Sequence, residues 1–327
     1  MSIEDHWYQR DHVSLALWPV SQLFRGIAAL RRALIRFVNR FRKKLPAPVI
    51  IVGNIMVGGT GKTPMVVWLV KYLQSQGYHP GVVSRGYGGE SEHYPLAITA
   101  VTSPEQGGDE PVLIARRTGV PVYVDPKRPR AARTLLSEHS EVDVIISDDG
   151  LQHYALQRDL EIIMIDSRRG LGNGFMLPAG PLREPPSRLK QADFVVVNGP
   201  SQDADYRMGL EAGALVPVRG GTETSSMEAF RHQDIHAVAG IGHPDRFFDT
   251  LRAHGMQIIE HAFPDHYQFQ AKDLRFRDGL PVIMTEKDAV KCQAFAPDNS
   301  WFLPVTAVPD RAFAEQLIIR LRSTHAG

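Results

Sequence analysis

Apolar positions along this chain follow two periods. From Val13 to Pro48 they fall at 23, 27, 30, 34, 38 and 41, a stripe at helical spacing. From Val49 onward, short aliphatic runs alternate with helical patterns. The runs predict strands over 48–52, 80–84, 121–124, 142–147, 160–165 and 194–197. Residues 61–76 predict a helix with Met65, Leu69, Val70 and Leu73 on one face and a left-handed stop at Gly77. A second alternating stretch predicts strands at 235–240, 256–261, 280–284 and 302–305, with helices at 244–254 and 312–322. Between the two, 199–233, with Gly220, Gly221 and a Ser/Thr cluster, reads as connection rather than core. The expectation is an α/β protein: a mostly parallel sheet flanked by helices, a smaller second α/β unit and an N-terminal amphipathic helix, bounded at 1–47, 48–215 and 216–327.

Charge changes the picture at one place. The net charge of +1 over 327 residues offers no general basic field for nucleic acid. Yet Val13 to Pro48 holds Arg25, Arg31, Arg32, Arg36, Arg40, Arg42, Lys43 and Lys44 and no acid. A basic amphipathic helix suits the interface of an anionic membrane. The alternative is a helix whose stripe packs on the protein's own core. No uninterrupted apolar run of about 20 residues argues for a span, and no cleavage site argues for a signal peptide. One cysteine, Cys292, excludes an internal disulfide and a cysteine-based metal cluster, which fits a reducing compartment.

Candidate chemistry begins at GGTGKTP, residues 58 to 64, between the first predicted strand and its helix. Strand, Gly-rich loop and helix aim backbone N–H groups and a positive helix end at one point. Gly58, Gly59, Thr60 and Gly61 would cradle phosphates, Lys62 would add charge and Thr63 would hold a divalent cation, so the loop reads as a nucleoside triphosphate site. It departs from the usual P-loop pattern at Met56, where glycine is expected.

Further polar residues fall at strand ends, where ligands of such sheets gather. SRGYGG (84–89) offers Arg85 and Tyr87 to a substrate. QGGDEP (106–111) opens a helix, with Asp109 a natural N-cap and Glu110 a first-turn acid; either acid is suited to accept a hydroxyl proton or organise a metal. SDDGLQH (147–153) follows the strongest strand pattern, so Asp148 or Asp149 is placed to help hold magnesium, with Gln152 and His153 close by. PAGPLREP (178–185) carries Arg183 and Glu184, and FPDHYQF (263–269) gathers Asp265, His266 and Tyr267.

Taken with TEKDAVK (285–291), these motifs stand in the order that resembles the tetraacyldisaccharide 4'-kinase family, over nearly the whole chain. The resemblance implies two α/β units with the active site in the cleft between them, and transfer of the γ-phosphoryl of ATP, with Mg2+, to the 4'-hydroxyl of a tetraacyldisaccharide 1-phosphate. The product would be lipid IVA, made at the cytoplasmic face of the inner membrane. It also implies Asp109 as catalytic acid, His266 as its partner, Lys62 and Thr63 as phosphate and metal groups, and Glu110, Asp149, His153, Arg183 and Tyr87 as metal, nucleotide or lipid contacts.

Two rival readings fit the residues less well. A GTP-driven switch or metal-insertion regulator would show D-x-x-G, but Ser147 stands three before Gly150, and 285–288 is T-E-K-D rather than a guanine signature. TEKD then reads better as a helix start. A membrane or nucleic-acid adaptor would need a basic excess beyond the first helix, and the rest of the chain has none.

Overall fold

The computed structural model describes residues 3–39, 44–219 and 223–325. Arg40, Phe41, Arg42 and Lys43 of the basic stretch, and Gly220 and Gly221 of the connection, lie outside the described residues. The chain packs as two compact units: Met1–Arg85 with Val120–Gly209 and Ala307–Gly327, and Gly86–Gly119 with Leu210–Thr306. The linear division at 48 and 216 differs from this interleaving. Hydrophobic periodicity marks an element's buried face but not the unit that covers it, so the excursion 86–119 and the last helix could not be assigned from pattern.

The first unit is built on parallel strands in the order Tyr206–Ala212, Phe194–Asn198, Leu160–Asp166, Val49–Gly53, Val144–Ser147, Pro80–Ser84 and Val122–Val124. The central strand Val49–Gly53 is buried throughout, which is why it is aliphatic on both faces rather than alternating. Helix Lys62–Ser75 buries Met65, Leu69, Val70 and Leu73 as the spacing predicted, and Gly77 closes it with φ +85°. Helix Arg311–His325 seats Phe313 edge-on to Phe194. The second unit carries a five-stranded sheet in the order Gln257–Ala262, Asp234–Ala239, Val282–Thr285, Ser300–Leu303, all parallel, with Val216–Pro217 antiparallel at the edge.

Residues 199–233 correct the sequence expectation. They hold strands Tyr206–Ala212 and Val216–Pro217, and Leu215 is fully buried. The strand Tyr206–Ala212 is mostly exposed and mixes Arg, Gly and Glu with its apolar residues, so it carries little apolar signal although it pairs with Phe194–Asn198.

The N-terminal helix, His12–Asn39, inverts the docking alternative. Its small and polar side faces the first unit: Ser14 and Ser21 are fully buried, Ser21 Oγ donates to the Met176 carbonyl at 2.6 Å, and Arg32 pairs with Glu184 at 3.1 Å. The apolar stripe points away: Leu23, Ile27, Leu30 and Leu34 are 66, 59, 62 and 58% exposed. Four such side chains, each about 60% exposed, leave roughly 4–7 kcal/mol of apolar burial unrealised in the isolated chain. By length and composition the segment His12–Val38 is also apolar enough to cross a membrane, although no uninterrupted apolar run exists, because residues 12–30 carry Arg25 as their only Lys or Arg.

Candidate functional site

In the first unit the loop after Val49–Gly53 is held from several sides. Asn54, buried at the strand's end, donates from Nδ2 to the Gly58 carbonyl (3.1 Å) and to Thr60 Oγ1 (3.3 Å). Asn198 donates to the Thr60 carbonyl at 3.3 Å, and Gln152 to the Asn54 carbonyl at 2.9 Å. Gly61 has φ +86°, and a Cβ there would lie 2.6 Å from Asn198 Nδ2, so both conformation and space demand glycine. No side chain caps the helix that starts at Lys62, which leaves its first N–H groups available to an anion. Met56 occupies the place of the missing glycine by packing among Ile55, Leu151, Ile163, Met176 and Leu182. The approach to the loop is thus pinned by an apolar side chain instead of bent by glycine.

Past Val144–Ser147 the two aspartates separate in role. Asp148 is fully buried and accepts from Ser84 Oγ at 3.2 Å. Asp149 adopts φ +44°, a costly conformation for a residue with a Cβ, and faces Lys62 Nζ through Oδ1 at 3.4 Å and Arg183 Nη1 through Oδ2 at 3.6 Å. Burial alone would raise its carboxyl, but Lys62, Arg183 and Arg128 hold it below the ordinary range. Among the described residues no three His, Cys, Asp or Glu side chains are grouped to hold a metal. A cation here would rest on hard oxygens: the Thr63 hydroxyl, these carboxylates and phosphate, the donor set of magnesium. Asp149 Oδ1, buried without a hydrogen bond, fits that role.

His153 sits near Arg128, Arg158, Arg31 and Arg85; burial first, then those charges, push its imidazole down to about 4, so it is neutral at pH 7. It lines an open depression with Lys127, Arg130 and Arg133. Arg85 is exposed at the end of Pro80–Ser84. Sequence reasoning missed Arg128, which is almost wholly buried with Nε unpartnered and is influenced by Asp149 and Asp148. Its helix, Arg128–Glu138, shows mixed polarity and gave no pattern to follow.

The second unit brings Asp109, Glu110, His266 and Tyr87 together. The glycine loops meet backbone to backbone, since a Cβ on Gly89 would lie 2.4 Å from the Gly108 nitrogen. Gly108 takes the N-cap, so Asp109 begins helix Asp109–Thr118 rather than capping it, with Oδ1 accepting from the Glu110 N–H at 2.9 Å. Its Oδ2 lies 3.2 Å from His266 Nδ1, yet neither atom is hydrogen-bonded within the described residues. His266 holds φ +60°, and the Tyr87 ring stands edge-on to it at 4.8 Å. Asp149, His232 and His266 are the non-glycine residues described with positive φ, and two of the three are site candidates. Burial would raise the Asp109 carboxyl, but His266 and Lys287 bring it below the usual value; contact with Asp109 lifts His266 above its own.

Glu110, expected to help hold a metal, accepts from Lys287 Nζ through Oε1 at 3.1 Å. TEKDAVK does begin a helix, Glu286–Cys292, as the residues suggested, but its lysine also joins this cluster. Nothing in the spacing of Lys287, over 170 positions from Asp109, signalled that meeting.

The sequence model described as Tetraacyldisaccharide-1-P 4'-kinase matches residues 13–322. The chain belongs to this family. Consistent with that membership, a tetraacyldisaccharide 4'-kinase of Methylobacillus flagellatus is 51% identical over 320 residues, covering 98% of this chain and 95% of the other. One from Pseudomonas aeruginosa is 48% identical over 319 residues, covering 96% and 95%. The crystal structure of LpxK from Aquifex aeolicus in complex with ATP superposes with a TM-score of 0.78 at 30% identity, covering 94% of this chain and 99% of that one. As a member of a kinase family the chain is an enzyme with a P-loop α/β fold, and the switch and adaptor readings are not favoured.

Proposed function

We propose that this protein transfers the γ-phosphoryl group of ATP to the 4'-hydroxyl of a tetraacyldisaccharide 1-phosphate, giving lipid IVA, at the cytoplasmic face of the inner membrane. The observation that carries the chemistry is the buried pair Asp109 Oδ2 and His266 Nδ1, 3.2 Å apart and each without a hydrogen bond in the described residues. Because that contact misses hydrogen-bond geometry, the buried carboxylate oxygen keeps room for a ligand to complete it. An acceptor hydroxyl donating to Asp109 does so.

In this reading the amides of Gly58 to Gly61 and the Lys62 ammonium bind and orient the triphosphate. Asp109 accepts the hydroxyl proton and His266 orients the carboxylate. Magnesium, when bound, supplies charge neutralisation on the phosphoryl oxygens, and Thr63 with Asp148 and Asp149 are the residues that would hold it. Positioning and fixed charge then account for most of the rate. Arg183, Arg85, Tyr87 and the neutral His153 are assigned to the acceptor and nucleotide, and the basic depression beside His153 suits an anionic group. The outward apolar stripe of His12–Asn39, flanked by Arg25, Arg31 and Arg36, supports work at an anionic lipid surface where the acyl chains reside.

Labelled ATP with the lipid 1-phosphate in detergent tests the reading. Label should pass to lipid, and Asp109→Ala should cut turnover by about 100-fold or more while ATP affinity stays near wild type. Hydrolysis without transfer would overturn the acceptor, and normal turnover in Asp109→Ala would overturn the base.

A further inference from the structure

Lys287 lies where four side chains of the second unit converge. Its Nζ is 3.1 Å from Glu110 Oε1, 3.4 Å from Asp265 Oδ1, 3.5 Å from His266 Nε2 and 3.7 Å from Asp109 Oδ2. The short helix carrying it is fixed at both flanks. Thr285 Oγ1 and Asp288 hold each other at 2.6 Å, and Asp288, fully buried, accepts from the Gly240 N–H at 2.8 Å and pairs with Lys291 at 2.7 Å. Lys291 donates to the Tyr267 carbonyl, one residue from His266, at 3.2 Å. On the other side Glu286 accepts from Arg117 Nη1 at 2.7 and 2.9 Å, tying this helix to the one that begins with Asp109.

We infer that Lys287 is a positioning residue for the Asp109–His266 pair: its ammonium clasps the helix start that carries Asp109 to the loop that carries His266. The inference rests on the reading of Asp109 as the base. Asp109 and Glu110 sit on one element and Asp265 and His266 on another, so without the cation the carboxylates of Asp109 and Glu110 would repel that of Asp265 across the contact. The lysine is suited to this and not to phosphate. Three carboxylates already surround it, and although burial would push its ammonium down, Glu110, Asp109 and Asp265 hold it well above the ordinary lysine value.

The contact also selects a tautomer. Lys287 is a pure donor, so a neutral His266 facing it through Nε2 must accept there and carry its proton on Nδ1, the nitrogen toward Asp109 Oδ2. The lysine at one ring nitrogen and the Asp109 carboxylate at the other thus favour the same placement of the proton. No motif spacing encodes this, because the lysine and the histidine are brought together only by the packing of Glu286–Cys292 beside residues 263–269.

A double-mutant cycle on the full chain tests the inference, using ATP and the lipid 1-phosphate in detergent with melting curves alongside. Lys287→Gln is expected to lower kcat about 100-fold, as a sub-ångström to ångström misplacement does, with KM for ATP within about threefold of wild type. Lys287→Arg should recover part of the loss. In an Asp109→Asn background, Lys287→Gln should cost less than about threefold more, because the group it positions is already disabled. Equal fold losses in both backgrounds, or wild-type kcat in Lys287→Gln, would overturn the positioning role while leaving the Asp109 reading intact. Wild-type turnover in Asp109→Asn would instead remove the base reading, and this inference with it. Should the glutamine variant fail to fold, Lys287→Met takes its place in the same cycle, and equal fold losses in the two backgrounds count against the role.

Discussion

Asp149 stands between Lys62 and Arg183, its two carboxylate oxygens 3.4 and 3.6 Å from the two cationic groups, in a backbone conformation with φ +44° that glycine would adopt more easily. A residue held at such a cost between two phosphate-binding candidates is itself a candidate for a functional role. If it helps hold magnesium, Asp149→Asn should raise the half-saturating magnesium concentration about tenfold or more and lower turnover, since a neutral amide is a poor ligand for a hard cation. A magnesium titration of phosphoryl transfer reads this directly, and an unchanged titration would assign the carboxylate to orienting Lys62 instead.

The loop glycines separate binding from folding. Gly61→Ala places a Cβ 2.6 Å from Asn198 Nδ2 at φ +86°, so it should destabilise the folded protein by roughly 1–2 kcal/mol as well as weaken ATP binding. Gly59→Ala meets nothing within 4 Å and should leave the melting temperature unchanged. If phosphate lies against that glycine, ATP affinity in Gly59→Ala nonetheless falls. Calorimetry of both variants with ATP checks the contrast; unaltered affinity in Gly59→Ala would exclude phosphate from that side of the loop.

Lys62→Met keeps the length of the side chain and removes its charge. Its expected cost is about 100- to 1,000-fold in kcat/KM for ATP, the range for deleting one preorganised electrostatic group, with the fold intact by circular dichroism. Steady-state kinetics at saturating lipid measures it.

The helix stripe predicts a surface phenotype. Replacing Leu23, Ile27 and Leu30 together by Gln should reduce binding to anionic vesicles by about 100-fold or more, because each apolar side chain contributes on the order of 1.5–3 kcal/mol when buried in lipid. The melting temperature in detergent-free buffer should not fall, since those side chains are exposed in the isolated chain. Vesicle co-sedimentation and thermal unfolding together distinguish this from a structural role.

His153 gives a pH dependence with a definite sign. Its folded value of about 4 lies below the ordinary 6.5, so between those values the unfolded chain binds the proton more readily. Stability should therefore fall as pH is lowered through that window. Melting temperatures at about pH 7 and about pH 5 should differ by more in wild type than in His153→Gln, where the titrating ring is gone. Equal drops in both would show that burial of this imidazole carries no such linkage.

The elements themselves were legible because they obey local rules. Buried parallel strands such as Val49–Gly53 and Val144–Ser147 must be aliphatic on both faces, and a glycine-rich turn into an uncapped helix is a local arrangement that GGTGKTP writes out in seven consecutive residues. Asp109 was visible as an acid at a predicted helix start, Lys62 and Thr63 in the cradle and the aspartates past a strand end, whereas His266 stood out only through the family resemblance. What spacing left hidden was every meeting between distant segments. Lys287 reaches Glu110 and His266 only because Thr285, Asp288 and Arg117 fix its helix, and Arg128 approaches the aspartates from a helix without an apolar signature. The direction of the N-terminal stripe was likewise undecided, because periodicity says that a face exists but not what it faces. Ser21 and Arg32 found partners on Met176 and Glu184 and left the leucines outside. Local sequence therefore determined the strands, the cradle and the candidate acids, which depend on neighbours a few positions apart. Tertiary packing alone decided the ion cluster around Asp109, the strands within 199–233 and the outward apolar face, since those depend on contacts between residues whose separation along the chain carries no periodic signal.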